Sequence, residues 1–282
     1  MQKKIMIFGA NGQLGRELSL IYKDAILLSH RKEGCENGIE FSNSDEIKKA
    51  ISYHEPEVII NAVALTNVDK CEMKQDLAYA INSHSVNVIA KECNRRNIKL
   101  VQVSTDYVFD GKVGRYNEES IPNPINYYGL SKLIGDNFAQ MSEDSIIVRT
   151  SGVFGYSNNY PKFVYNALVN NQPIKAIEGL YSPIHAANLA HSIFELINIG
   201  YKGIINIAGE RISRYDLALK ISDYFNIKGN IEEVSAVKNM VAKRPYDSSL
   251  EIALAKNIIK RDFFSLKSNL AELERTINEG NK

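Results

Sequence analysis

The sequence predicts an α/β fold, a doubly wound parallel sheet with a smaller C-terminal lobe. Three observations predict it. Short apolar runs alternate with helix-length segments along the first 150 residues, the pattern of strands buried on both faces by crossover helices. A glycine-spaced turn, Gly9-Ala-Asn-Gly12-Gln-Leu-Gly15, sits directly behind the first apolar run. After Thr150 the alternation loosens. The 282 residues, 44% hydrophobic, suffice for one large core with an annex.

The elements follow in order. Residues 5–8 read as a buried strand and 14–22 as a helix. A second strand is expected over 25–28, then a helix over 45–53 capped from Ser42-Asn43-Ser44. Residues 58–62 form the third strand, 77–97 a long helix and 99–103 the fourth strand. A helix over 128–141 leads to a fifth strand over 145–149. Beyond it, Asn158-Asn159-Tyr160-Pro161 reads as a loop, with helices over 163–170 and 187–197. The apolar stretch 203–208 reads as a strand able to return to the main sheet. A helix over 213–225, capped by Ser213, precedes a polar amphipathic tail.

Several function classes drop out. A net charge of +1 implies no nucleic-acid partner. Cys35, Cys71 and Cys93 are scattered, without CxxC, metal spacing or a disulfide framework, which fits a reducing cytosol. No apolar run approaches the roughly 20 residues of a membrane span. The chain enters a strand directly, so no signal peptide is expected and the location reads as cytoplasmic. His30, His54, His84, His185 and His191 do not cluster. Asp69 and Glu72 read as acids at a helix start, and no metal site is expected.

The glycine turn suits a dinucleotide pyrophosphate, which makes the fold Rossmann-type. Gly9 permits the tight turn, Gly12 the approach of backbone to the anion, and Gly15 close helix packing. The helix start, with Asn11, Gln13 and Leu14, presents N–H groups to the anion. The spacing is GxxGxxG rather than GxGxxG. An acid at the end of the second strand would bind a ribose 2′-hydroxyl. Here that end reads Leu28-Ser29-His30-Arg31-Lys32. Arg31, with Lys32 or Ser29, is therefore expected to accept a 2′-phosphate, favouring NADPH, with NADH left open. The small residues Ala62, Val63 and Ala64 either lie against the cofactor or serve close packing. Residues 1–150 are the expected NADP-binding domain, with a returning segment near 186–208. Residues 151–185 and 209–282 are the expected substrate lobe.

Tyr128-Gly-Leu-Ser-Lys132 follows the strand end Val103-Ser104-Thr105. Four residues apart on a helix, Tyr128 and Lys132 share a face. A free phenol, with a pKa near 10, is a poor acid at neutral pH, and a nearby ammonium lowers it. Lys132 can also hold a nicotinamide ribose. Tyr128 then protonates a carbonyl oxygen as hydride arrives. Thr105 can orient that oxygen, with Ser104 its rival. With 15 tyrosines, this spacing also recurs by chance. Tyr224-Phe-Asn-Ile-Lys228, at a helix end before Gly229, reads as structural.

These residues resemble the extended short-chain dehydrogenase/reductase superfamily and, within it, the dTDP-4-dehydrorhamnose reductase family. The resemblance runs nearly the whole length. It rests on Gly9 to Gly15, Asn61-Ala-Val-Ala-Leu-Thr66-Asn-Val68-Asp69-Lys-Cys-Glu72, Ser104-Thr-Asp-Tyr-Val-Phe-Asp-Gly111, Tyr128 to Lys132, Arg149-Thr-Ser-Gly-Val-Phe-Gly155, Ile212-Ser-Arg-Tyr-Asp-Leu-Ala218 and Lys243-Arg-Pro245. It implies a Thr105, Tyr128 and Lys132 triad and reduction of the C4 ketone of a nucleotide-linked deoxysugar, in polysaccharide precursor synthesis. By family position Ala64, Thr66, Val68 and Tyr107 line the sugar site, and Arg244 is the candidate for a phosphate. The chain departs at Gly152, where the family commonly has Trp, at Glu178-Gly179, where it has Asp-Gln, and at Ile184, where it has Thr. Gly152 is expected to open the pocket to a different or bulkier sugar. Two alternatives stay open. One is an epimerase or dehydratase of the same fold. The other is a non-catalytic NADP-binding subunit like the regulatory subunit of methionine adenosyltransferase. The residues leave the oligomeric state open, a homodimer included.

Overall fold

A computed structural model describes residues 3–30, 38–235 and 240–280. The first apolar run forms β1 (Ile5–Phe8) and leads through the glycine turn into α1 (Gln13–Ile21) and β2 (Ile26–His30). A two-residue β3 (Gly38–Ile39) precedes α2 (Ser44–His54) and β4 (Val58–Asn61). Next come α3 (Val68–Met73), α4 (Gln75–Tyr79) and α5 (Ser85–Arg96). Then follow β5 (Lys99–Thr105), α6 (Tyr127–Gln140) and β6 (Ser145–Thr150). Asn43 and Asn126 cap α2 and α6, each side-chain oxygen taking a backbone N–H the helix leaves unpaired.

The chain leaves the sheet at Thr150 for α7 (Tyr160–Val169), β7 (Ile174–Ile177) and β8 (Leu180–Tyr181). It returns through α8 (Ala186–Asn198) to β9 (Gly203–Asn206), which pairs in parallel with β6. The remainder is β10 (Ile212–Ser213), α9 (Arg214–Phe225), β11 (Ile231–Val234), α10 (Ala253–Ile258) and α11 (Leu266–Gly280). The main sheet is parallel in the order β3-β2-β1-β4-β5-β6-β9. That order reverses between β1 and β4, so the C-terminal strand ends on either side of this switch point frame a ligand crevice.

Strand alternation explains the layers. Ile5, Ile7, Val58 and Ile60 point into one apolar cluster, and Met6, Phe8 and Ile59 into the cluster on the other face. A third cluster, with Phe154, Leu168, Tyr181, Leu217 and Leu273, forms the small lobe's own core.

Two differences from the sequence expectations have physical causes. The helix expected over 77–97 is interrupted by a π-helical turn at Ala80–His84. There Asn82 is buried, accepts the Leu65 N–H at 2.8 Å and donates to the Ser131 hydroxyl at 3.0 Å. Its carbonyl presses on Gly135 of α6, where a Cβ would lie 2.3 Å away. Side-chain periodicity alone does not show such a turn. The expected polar tail contains α10 and α11, and Leu250, Ile252, Ile259, Phe263 and Phe264 pack into a main-sheet cluster rather than the lobe. The lobe is therefore not continuous over 209–282.

Candidate active site

The glycine turn follows from close contacts. Gly9 has φ +85, and a Cβ there would lie 2.9 Å from the Ala62 carbonyl carbon. A Cβ on Gly15 would lie 2.2 Å from the Gly9 oxygen. Gly12 is the N-cap of α1 and supplies no side-chain cap, so the first N–H groups stay available to an anion. Asn11 donates to Ser29 Oγ at 2.8 Å, tying the turn to the end of β2. Gln13 donates to the Val153 carbonyl at 3.3 Å and accepts from Asn159 at 3.2 Å. Arg31 and Lys32 lie outside the described residues.

A cleft of about 560 Å³ opens beside this turn. Gly12, Gln13, Leu14 and Gly15 line one side, and Ala62, Val63, Ala64, Thr66 and Val68 follow the end of β4. Val103, Thr105, Tyr107, Tyr128, Lys132, Thr150 and Gly152 line the same cleft. The β5–β6 register ends level at Thr105 and Thr150, so the residues after both strands reach the cleft together. Asp106, Ser104 and Val153 also line it.

The structure separates Thr105 from its rival. Successive strand side chains point to opposite faces. Ser104 donates to Asp136 at 2.7 Å, whereas the Thr105 hydroxyl lies beside the Tyr128 phenol. Thr105 Oγ1 also donates to Asp106 Oδ1 at 3.0 Å and accepts the Tyr107 N–H at 3.2 Å. The Tyr107 and Tyr128 rings meet edge to face at 5.8 Å. Asp106 also accepts from Ser151 at 2.7 Å and Ser248 at 2.5 Å. Burial raises its pKa, and those hydroxyls oppose the rise.

Lys132 is buried and donates to the Val103 carbonyl at 2.7 Å. Burial lowers its pKa to about 8, and the Asp136 charge one turn along the helix works the other way. Asp136 is itself fully buried, between Ser104 and the Arg149 guanidinium 3.8 Å away. Burial raises the Tyr128 pKa, the nearby Thr105 hydroxyl opposes this, and the Asp106 charge adds to it. The sequence reading has Lys132 lower the Tyr128 pKa. In the structure the ammonium donates to the Val103 carbonyl, and burial is the largest influence on the phenol.

A second chamber of about 190 Å³ shares Asp106, Tyr107, Gly152 and Val153 with the first. Tyr160, Tyr181, Arg214, Pro245 and Ser248 complete it. Gly152, expected to open the pocket, lines both chambers. Gly152 has φ +49, and a Cβ would lie 2.7 Å from the Tyr181 ring. The absent side chain makes room for Tyr181. The expected phosphate ligand is also placed differently. Arg244 pairs with Asp69 at 3.1 Å and donates to the Ala242 carbonyl at 2.9 Å. Its neighbour Pro245 reaches the chamber. Glu72 of α3 accepts the Tyr127 N–H at 2.9 Å, so both acids read at a helix start anchor neighbouring backbone. Tyr224 donates to Glu274 at 2.8 Å and lines neither chamber.

Sequence reasoning missed Asp106, Ser151, Asp136, Tyr181, Arg214 and Ser248. Position after a parallel strand end was a usable signal for Asp106 and Ser151. Nothing local marks Ser248.

A glycine turn at a parallel-strand switch point, facing a Thr/Tyr/Lys wall across one cleft, defines the class: a nicotinamide-dependent oxidoreductase on a Rossmann fold. The family model described as the RmlD substrate binding domain matches residues 3–279. A dTDP-4-dehydrorhamnose reductase from Aggregatibacter actinomycetemcomitans is 34% identical over 88% of this chain and 90% of its own. Among solved structures, a hypothetical dTDP-4-dehydrorhamnose reductase from Sulfolobus tokodaii is 45% identical, with TM-score 0.87, over 93% of this chain and 97% of that one. The Bacillus anthracis dTDP-4-dehydrorhamnose reductase in complex with NADP is 31% identical, with TM-score 0.85, over 99% and 100% of the two chains. The chain belongs to the dTDP-4-dehydrorhamnose reductase family.

Proposed function

We propose that this protein reduces the C4 ketone of a nucleotide-linked 6-deoxysugar with NADPH, in nucleotide-sugar synthesis. One observation carries the reading: Thr105, Tyr128 and Lys132 line the same cleft as the glycine turn. The backbone contacts that require glycine at Gly9 and Gly15 support reading that turn as a pyrophosphate seat, and a relative of known structure is in complex with NADP. NADPH, when bound, supplies the hydride to the carbonyl carbon.

The protein's own groups manage the proton. As negative charge grows on the ketone oxygen, its proton affinity passes that of the Tyr128 phenol, which donates its proton. Thr105, held by Asp106, fixes the phenol's direction. Lys132, anchored on Val103, places a positive charge in the same wall and lowers the cost of the phenolate that forms. Val68 and Tyr107 bound the sugar's space. Arg31 and Lys32 are proposed to select the 2′-phosphate. The reading places the reaction in the cytoplasm. Among the described residues, no helix is long and apolar enough to cross a membrane.

The test is NADPH oxidation with dTDP-4-keto-L-rhamnose. Turnover with release of NADP⁺ is expected. Retention of the cofactor through purification without net oxidation would point to the epimerase chemistry instead. Tight NADPH binding with no turnover on any keto-sugar nucleotide would point to a regulatory subunit.

A further inference from the structure

We infer that Arg214, rather than Arg244, is the cation that holds the diphosphate of the nucleotide sugar, in the chamber behind Tyr107. The inference rests on the nucleotide-sugar reading and assigns the far end of that site. A diphosphate entering a part-buried chamber leaves water, and its charge then needs a partner.

Only two cations line the two chambers among the described residues. Lys132 stands at the reacting end and is committed to Val103. Arg214 stands in the second chamber. It forms no ion pair with an acid among the described residues. The acids around it are engaged elsewhere. Asp106 takes three hydroxyls, Asp216 takes Ser213, and Asp247 pairs with Arg211 at 2.6 Å.

The guanidinium is also held in place. It stacks over the Tyr181 ring at 4.8 Å, a contact that fixes its plane and leaves its N–H edge to meet an anion two-pronged. Tyr181 rests in turn on Gly152, whose missing Cβ admits it. Tyr160 donates to the Arg214 carbonyl at 2.9 Å, which anchors the backbone beneath. The departure at Gly152 thus has a consequence two residues removed: glycine seats tyrosine, and tyrosine seats arginine. Arg244, by contrast, is paired with Asp69, donates to the Ala242 carbonyl and lines neither chamber.

Calorimetric titration of the full chain with dTDP and with dTMP tests the assignment. In Arg214→Gln the dTDP Kd is expected to rise about 10- to 100-fold, and the preference for dTDP over dTMP to collapse. NADPH affinity and melting temperature should hold. Arg214→Lys keeps the charge without the planar fork and should fall between; it also serves if the Gln variant folds poorly. An unchanged dTDP Kd in Arg214→Gln overturns the assignment, as does loss of the dTDP preference in Arg244→Gln alone. If the wild-type protein binds neither dTDP nor UDP, the nucleotide-sugar reading fails with it. If it binds dTDP and reduces the keto-sugar but ignores Arg214, only the assignment fails.

Discussion

The two halves of the cleft are built in opposite ways. The cofactor half is made of short consecutive runs, Gly12 to Gly15, Ala62 to Ala64 and Val103 to Thr105, each at or just beyond a parallel strand's C-terminal end. The substrate half gathers Asp106, Gly152, Tyr181, Arg214 and Ser248 from separate stretches. Its central hydrogen bond joins Asp106 to Ser248 across 142 residues. The sheet positions the first half almost unaided, because strand register aligns the ends. The second half exists only once the lobe has docked. Local chemistry can therefore be read for one half and not for the other.

Tyr128, where the halves meet, gives the largest expected effect. Tyr128→Phe should lower kcat by about 10²- to 10⁴-fold, while NADPH affinity measured by fluorescence changes little. A variant that keeps its turnover would remove Tyr128 as proton donor. Gly15→Ala separates the halves more sharply. Its Cβ would press on the Gly9 oxygen from 2.2 Å, so a loss of about 1–3 kcal/mol in stability is expected, with weakened NADPH binding. The dTDP Kd should stay near wild type. Equal losses for both ligands would mean that the halves are not independent.

Asp136→Asn tests the charge behind the wall. Three charged groups meet there: Lys132, Asp136 and Arg149. The Asp136 charge raises the Lys132 pKa against burial, which leaves it at about 8. Without that charge the value falls, and the protonated form is lost at lower pH. The alkaline limb of kcat/KM should move to lower pH in Asp136→Asn, with a several-fold loss at pH 8. A limb that stays in place would show that Lys132 does not govern it.

The smallest effect concerns a helix cap that lines neither half. His185 caps α8, its Nδ1 accepting the Ala187 N–H at 3.1 Å while Nε2 meets Thr276 of α11 at 2.9 Å. Nδ1 as acceptor makes the ring neutral, and burial lowers its pKa to about 3. The unfolded state binds the proton more readily, so this group favours folding above about pH 6.5 and destabilises the fold as pH falls from there toward 3. Between pH 7 and 5.5 this amounts to about 1 kcal/mol. Thermal melts should show that slope, and His185→Gln should flatten it. An unchanged slope would place the acid sensitivity elsewhere.

Legibility followed the same division. The alternation of strands and helices, a cap within Ser42-Asn43-Ser44 and the cap Ser213 were readable, because they depend on residues a few positions apart. That Thr105, Tyr128 and Lys132 would line one cleft was readable because a strand end and a helix face place them. The π-helical turn around Asn82 was not, since the partners of Asn82, among them Leu65, Ser131 and Gly135, come from distant parts of the chain. Nor was the Lys132 environment, which depends on Val103 and on how deeply α6 is buried.

By itself the sequence determined the parallel sheet, the glycine turn and the residues that face each other across the cleft. Periodicity dictates which side of a strand is buried, and glycine dictates where the chain can turn and nearly touch itself. Only the tertiary structure decided that Asp106 binds Ser151 and Ser248 and that Arg244 is held by Asp69. It also decided that Tyr181 fills the space above Gly152 and carries Arg214. Those outcomes depend on which distant segments meet and on the volumes left between them, and no local pattern in the chain records either.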